Sequence, residues 1–246
     1  MLPFWPNDRW FGTDFWTTNM ITKLPKWIMW GGALLALSAG CVNTIALMGF
    51  TTLPVSHVTG NVSLFATAIA SLDMRSVLFI GATLLTFLIG AVLSGVIIGQ
   101  KSLKLGKRYS LALCIEAVLL VLSYWLYQQE NNIGQLTAAM ACGLQNVMVA
   151  TYSASAIRTT HLTGLTSDVG HAIGNWIAGR SIDKPKLTFQ LIIWQCFCGG
   201  SVLGALLYSQ FQYRALFLPI TIVSTTAVLY SAMVQKLPER RQPVKI

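Results

Sequence analysis

Charge is the scarcest property of this sequence. Eight acidic and 17 basic residues occur among 246 positions, so charged residues make up only 10% of the chain, against about 25% in soluble domains. Apolar residues fill 54% of the positions, and apolar runs of about 20 residues recur, the length that a helix needs to cross a bilayer. The lack of charge therefore argues against a soluble domain and predicts an all-α, multi-pass membrane protein.

Motifs of known catalytic and nucleotide-binding sites are also missing. The chain has no HExxH, no GxSxG and no phosphate-binding loop, and Cys196 and Cys198 lack the spacing of a metal knuckle. We therefore expect no enzyme, no cofactor, no metal and no ATP-driven transport within this chain. Two alternatives stay open: a membrane-embedded enzyme that uses its His, Asp and Glu residues, and a non-transporting membrane subunit.

The net charge is +9, but the basic residues form no stripe interleaved with aromatic residues, so nucleic acid is not an expected partner. The basic residues lie between and beyond the apolar runs, as the orientation signal of a membrane protein does, and the expected partner is the lipid bilayer. Residues 1–27 lack the apolar core of a cleavable signal but are rich in aromatic residues, which predicts either an interfacial segment or a disordered tail. Residues 236–246 predict a basic cytoplasmic tail.

Eight apolar segments predict eight helices in one membrane domain, residues 28–235. They are residues 28–49, 57–72, 76–99, 109–128, 132–152, 157–178, 187–208 and 215–235. Parts of the first half recur in the second: Gly40 and Asn43 match Gly143 and Asn146, and Phe87 and Gly90 match Phe197 and Gly200. This self-similarity predicts two repeats, residues 28–128 and 132–235, a common plan in transporters.

The distribution of basic residues predicts how many helices cross the bilayer. If all eight cross and the N-terminus is inside, 11 of the 17 basic residues lie inside; if the second and sixth segments enter and return on one side, 15 do. Basic residues favour the cytoplasmic side, so we predict six transmembrane helices plus two re-entrant or broken helices. Three crossings per half make the halves inverted repeats, with both termini on the cytoplasmic side of the inner membrane.

Two copies of one polar motif open the two predicted re-entrant segments. The copies are Ser56-His57-Val58-Thr59-Gly60-Asn61 and Thr160-His161-Leu162-Thr163-Gly164-Leu165. We expect the first residue of each copy to cap its helix and each glycine to allow a close backbone approach. Helix N-termini with histidine and threonine donors suit a small anion or a polar solute.

The predicted substrate-binding site lies between the two motif helices near the bilayer midplane. Its residues are Ser56, His57, Thr59, Gly60, Asn61, Thr160, His161, Thr163 and Gly164, with Asn43 and Asn146 lining the same cavity. The other interpretation is that these groups only satisfy two buried helix ends and join neighbouring helices.

Glu116, Asp168 and His171 are the residues predicted to couple transport to a proton or an ion. Glu116 is the only acid well inside a full span, where an ionisable group is costly; alternatively it bonds to a neighbouring helix. Asp168 and His171 share a helix face with His161 and Asn175. This face is either a proton pathway or a wet surface near the cytoplasm.

The stretches Ser38-Ala39-Gly40-Cys41-Val42-Asn43 and Val55-Ser56-His57-Val58-Thr59-Gly60-Asn61 resemble the YoaK family of bacterial membrane proteins. The resemblance covers most of residues 28–235 and is most specific at Thr59-Gly60-Asn61. It implies six spans and a bacterial inner-membrane location, and it implies no substrate. Members of that family often carry an acidic residue at the position where this chain has Asn43. Any role of that acidic residue is therefore not expected in this chain.

Together these patterns predict a channel or secondary transporter for a small polar or anionic solute. The glycine pairs Gly95/Gly99 and Gly200/Gly204 predict close helix packing, either within one chain or between protomers of a homo-oligomer.

Overall fold

The computed structural model describes residues 26–99, 107–152 and 158–236. The described part contains eight α-helices and one 3₁₀ turn, Gln212–Leu216. The helices are α1 Lys26–Met48, α2 Val58–Ala70, α3 Met74–Ile98, α4 Lys107–Gln128, α5 Ile133–Tyr152, α6 Leu162–Ile177, α7 Lys184–Phe211 and α8 Phe217–Lys236. Each predicted apolar segment is therefore a helix, although α6 begins later than expected. The predicted interfacial segment before residue 26 and the basic tail after residue 236 lie outside the described residues.

Five stretches of the described residues are long and apolar enough to cross a membrane. They are Met29–Met48, Met74–Ile98, Arg108–Gln128, Ile133–Thr151 and Lys184–Met233, the last running through α7, the 3₁₀ turn and α8. Helix α2 is apolar but has 13 residues, a rise of about 20 Å, and α6 has 16. Neither short helix is among the five candidate spans. With these spans the chain is a multi-pass membrane protein.

Helix α1 packs closely against α7 through glycines on both helices. A Cβ atom on Gly40 would collide with the carbonyl oxygen of Phe197, and one on Gly200 would collide with the carbonyl oxygen of Leu37. Because the obstacle is backbone in both cases, no side-chain rearrangement relieves it. Gly204 meets the backbone of Cys41 in the same way, which confirms close packing for Gly200 and Gly204.

Helices α3 and α5 make the same crossing. A Cβ atom on Gly143 would collide with the carbonyl oxygen of Phe87, and one on Gly90 with that of Met140. These four residues are the positions that match those of the α1–α7 contact. Gly95 has open space around it, so no close packing occurs there within the described chain, and packing between protomers stays a prediction.

The first helices of the two halves, α1 and α5, run antiparallel. The side chain of Gln145 donates a hydrogen bond to the carbonyl of Leu35, just before the middle of α1, at 2.6 Å. Gln135, ten residues earlier on α5, donates to the carbonyl of Leu53, beyond the end of α1, at 2.7 Å. Residue numbers therefore rise along one helix as they fall along the other.

The last helices of the two halves, α4 and α8, also run antiparallel. The rings of Tyr109 and Tyr230 lie 6.1 Å apart between centroids, and those of Tyr124 and Phe217 lie 4.7 Å apart. The start of α4 thus packs against the end of α8, and the end of α4 packs against the start of α8.

Three connections meet at one end of the bundle, which we call the tyrosine end. They are the turn after α1, the turn between α4 and α5, and the 3₁₀ turn. Tyr127 stacks on Tyr213 with centroids 4.6 Å apart, and the hydroxyl of Tyr213 accepts a hydrogen bond from the N–H of Phe50 at 2.9 Å. The fully buried Gln135 accepts hydrogen bonds from the hydroxyls of Tyr127 and Thr51, at 2.6 and 3.0 Å.

Candidate functional site

The first motif forms the turn that leads into α2. The N-cap residue is His57, with φ −90° and ψ 63°, and its side chain makes no capping hydrogen bond. The expectation that Ser56 caps the helix is therefore wrong. Ser56 donates both its N–H and its hydroxyl to Oδ1 of Asn43, each at 2.9 Å, because this half-buried acceptor on α1 lies within reach.

The second motif forms the same turn at the start of α6. Here the N-cap is His161, with φ −93° and ψ 57° and again no capping bond from its side chain, so Thr160 is not the cap either. The N–H of Leu165 bonds to the carbonyl of His161 at 3.1 Å, as the N–H of Asn61 bonds to that of His57 at 2.9 Å. The repeated sequence therefore has one backbone conformation in both halves.

The glycine of each motif makes room for the histidine ring of the same motif. A Cβ atom on Gly60 would collide with Cδ2 and Nε2 of His57, and one on Gly164 with the same atoms of His161. Each ring therefore folds back over the first helical turn. The close approach expected at each glycine is thus made by an imidazole, and both histidines are exposed on the bundle surface.

The remaining motif residues differ in their surroundings. Thr59 and Thr163 are exposed beside the histidines. Asn61 is 1% exposed, and its side-chain amide donates to the carbonyl of Pro54 at 2.7 Å. This bond holds the loop between α1 and α2, and the second half has the buried Leu165 at the same motif position.

The contact between Asn43 and Ser56 has no equivalent among the described residues of the second half. Oδ1 of Asn146, a residue 7% exposed, has no hydrogen-bond partner there. Oγ1 of the fully buried Thr159 also has none, and Thr160 beside it is half-buried. The polar groups that are joined in the first half are therefore separate in the second.

A cleft of about 140 Å³ separates α6 from the beginning of α7. Its polar lining comprises Asp168, His171, Asn175, Ser181, Asp183, Lys186 and Gln190. Gln190, 2% exposed, donates a 2.6 Å hydrogen bond to Oδ2 of Asp168, and the side-chain nitrogens of Asn175 and His171 lie 2.9 Å apart. The predicted common face of Asp168, His171 and Asn175 is confirmed.

Glu116 lies in the middle of α4 and is 1% exposed. Oε2 of its carboxyl group has no hydrogen-bond partner among the described residues. Helix α4 belongs to the first half and packs against α5 and α8 of the second half. The bond to a neighbouring helix that was the alternative interpretation of Glu116 is not present in the described part of the chain.

The structure does not bring all the predicted site residues together. Helix α2 packs on α3 and α6 packs on α7, and no contact between described helices joins α2 to α6. Placing a solute between the two motif helices stays a prediction. No group of three or more His, Cys, Asp or Glu side chains within residues 26–99, 107–152 and 158–236 is arranged to hold a metal ion.

Two buried amides that connect elements, Gln135 and Gln190, were not predicted from the sequence. Gln135 ties the turn after α1 to α5, and Gln190 ties α7 to the carboxylate of Asp168. The available signal was an isolated glutamine within or at the edge of an apolar run, since such a side chain needs partners inside a bilayer.

A family model described as "Protein of unknown function (DUF1275)" matches residues 31–229. The chain belongs to this family. A similar protein, the UPF0700 transmembrane protein RA0705 of Rhizobium meliloti (strain 1021), is 27% identical over 117 residues, which cover 48% of this chain and 49% of that protein. No solved structure matches the chain. Membership of the DUF1275 family agrees with the YoaK-like motifs, and the transmembrane relative agrees with the apolar helices.

Proposed function

We propose that this protein is a channel or secondary transporter for a small polar or anionic solute, and not an enzyme. The observation that carries the proposal is the histidine–glycine turn, which occurs twice, at the starts of the two short helices α2 and α6. The first N–H groups of a helix have no partner within the helix, and they give its N-terminus a partial positive charge. Each turn adds an exposed imidazole and a threonine hydroxyl, which are donors for the oxygen atoms of an anion or polar solute.

The proposed topology has six crossings, with α2 and α6 entering and leaving on one side. If α2 also crossed, the turn after α1 and the turn between α4 and α5 would lie on opposite faces of the bilayer. The hydrogen bond between Thr51 and Gln135 supports the arrangement in which both are on one face. The antiparallel pairs α1–α5 and α4–α8 support inverted repeats, a plan that places solute sites near the midplane.

The proposed orientation puts the tyrosine end outside the inner membrane and both termini in the cytoplasm. Labelling with a membrane-impermeant maleimide tests it in a chain whose five native cysteines are replaced. Glu130→Cys, exposed at the tyrosine end, should react in intact cells, and Lys184→Cys, exposed at the start of α7, only after permeabilisation. Reaction of both from the same side would contradict the proposed topology.

Flux measurements in proteoliposomes test the function. Formate, chloride, urea and glycerol are suitable probes, with potassium as the cation for comparison. Flux of an accepted solute should depend on both motif histidines, because their exposed imidazoles donate hydrogen bonds to its oxygen atoms. His57→Ala and His161→Ala should each lower this flux. Rapid potassium flux that is indifferent to both motif histidines would refute the proposal.

A further inference from the structure

We propose that Glu116 is a proton-binding site and that the protein moves its solute together with a proton. The coupling part of this inference rests on the function proposed above. The binding part rests on the surroundings of Glu116 alone, so the two can fail separately.

The first argument is burial without a partner. The side chain of Glu116 is 1% exposed, and no described residue forms a hydrogen bond or an ion pair with it. An ionised carboxylate without a counter-charge or donors is strongly disfavoured in such a site, whereas a neutral carboxyl group is disfavoured far less. A proton on the carboxyl group is the simplest way to avoid the ionised form.

The second argument is the absence of cations nearby in the described part of the chain. Helix α4 packs against α3, α5, α8 and the 3₁₀ turn. Cys142 of α5 lies within electrostatic range of Glu116, and Tyr230 of α8 has its ring against Tyr109. The basic residues Arg75 of α3, Arg108 of α4 and Arg214 of the 3₁₀ turn are exposed, so none of them neutralises the carboxyl group.

The third argument is position. Glu116 lies on α4, a helix of the first half that packs against α5 and α8 of the second. In transporters built from inverted repeats, one repeat moves against the other during alternating access. Such a movement would let water reach the carboxyl group from one side at a time. The O–H bond of the carboxyl group then breaks, the proton passes to a water molecule, and the carboxylate takes up another proton before the cycle closes.

Coupling to a proton fits an anionic solute. An anion that binds at the positive helix starts must still pass a low-dielectric interior, where an unbalanced charge is costly. One proton moving with one anion carries no net charge. We therefore expect a monovalent anion such as formate to move with a proton in this protein.

Infrared spectroscopy tests the proton site independently of transport. At neutral pH the wild-type protein should show the C=O stretch of a protonated carboxyl group, and Glu116→Gln should lack it. Glu130→Gln, which removes an exposed acid, should keep the band, and Glu116→Asp should keep a shifted one. A wild-type spectrum without this band, or a band that persists in a folded Glu116→Gln protein, would overturn the proton site.

The coupling is tested with chloride in proteoliposomes, because the neutral acid of formate crosses a lipid bilayer unaided. A gradient of about one pH unit should drive about tenfold accumulation if one proton moves with each anion, and Glu116→Gln should abolish this accumulation while chloride still exchanges down its own gradient. Accumulation that persists in Glu116→Gln would overturn the coupling. If no probe moves in any variant while the infrared band is present, the proposed function and the coupling fail and the proton site stands.

Discussion

Helix pairs α2–α3 and α6–α7 occupy matching places in the two halves but present different surfaces. Where α6 carries Asp168, α2 carries Leu64, and where α7 carries the buried Gln190, α3 carries the buried Ile80. The backbone turn at the helix start is the same in both pairs. The shared motif therefore sets the start of each short helix, while the residues after it decide whether the helix faces a polar cleft or an apolar contact.

The caps of α3 and α7 show the same difference. Asp73 accepts hydrogen bonds from the N–H and the hydroxyl of Ser76, at 3.2 and 2.6 Å, which lower the pKa of its carboxyl group. Asp183 accepts a bond from the N–H of Lys186 at 3.1 Å, but Oδ2 of this aspartate has no partner among the described residues. The second half has Lys186 where the first half has Ser76, so Asp183 accepts no hydroxyl bond from this position. Asp183 is one of the residues that line the cleft.

The largest effect on stability is expected at the two glycine crossings, α1–α7 and α3–α5, and it tests whether they are equivalent. Gly90→Ala and Gly200→Ala should each destabilise the folded protein by about 3 kcal/mol, because each new methyl group meets backbone that cannot move aside. Unfolding in detergent, followed by far-UV circular dichroism, measures this.

Neighbouring glycines on the same helices provide controls. Gly95→Ala on α3 and Gly199→Ala on α7 have open space for the methyl group and should be neutral or slightly stabilising. If only one of the two crossing variants loses stability, the crossings are not equivalent and the resemblance between the halves is weaker than their contacts imply.

The second-largest effect on stability is expected at Asn43, and it tests whether Asn43 and Asn146 differ in their hydrogen bonding. Asn43→Ala removes the acceptor of two hydrogen bonds from the buried Ser56 and should cost about 2 kcal/mol. Asn146→Ala loses no hydrogen bond of the described structure and should cost less. Equal losses of unfolding free energy would mean that Asn146 is bonded in the working protein and that the halves are more alike.

A smaller effect concerns the polar cleft of the second half. Gln190→Leu removes the donor to Asp168 and should cost about 1 kcal/mol, because the carboxylate of Asp168 still has access to solvent. Ile80→Leu at the matching place of the first half should cost no more than this. A neutral Gln190→Leu would show that the cleft is wet and that this bond adds nothing to stability.

The smallest effect on stability is expected at the histidine–glycine turns. Gly60→Ala and Gly164→Ala should change unfolding free energy by about 0.5 kcal/mol or less, yet they should reduce solute flux because the methyl group displaces the imidazole. In a His57→Ala background Gly60→Ala should have no further effect on flux, since the ring is gone. A full additional loss in the double variant would show that the glycine is needed for another reason.

The sequence predicted the helices well because hydrophobic length is a local property. Matching positions in the two halves were also visible, since Gly40 and Gly90 correspond to Gly143 and Gly200, and the structure places all four at helix crossings. Local patterns could not predict which helices cross. The pairing of α1 with α7 and of α5 with α3 depends on contacts between distant parts of the chain.

The candidate site was predicted less completely. Ser56 was expected to cap α2 from its position in the motif, but the position of Asn43 on another helix decides where its hydroxyl bonds. Likewise, the imidazole of His57 lies over Gly60, and only the rotamer of His57 reveals this; contact of Gly60 with a solute stays a prediction. Both findings concern side-chain directions, which depend on tertiary neighbours.

Because α1 of the first half packs against α7 of the second half, its packing partner is synthesised late. Roughly 140 residues separate the end of α1 from the start of α7, so at about 5–20 residues per second a ribosome needs several seconds to complete the partner of α1. During that interval the bare backbone around Gly40 faces lipid or another protein. We therefore expect this helix to need the insertion machinery or a chaperone while it waits, and a nascent chain that stops before α7 to be degraded.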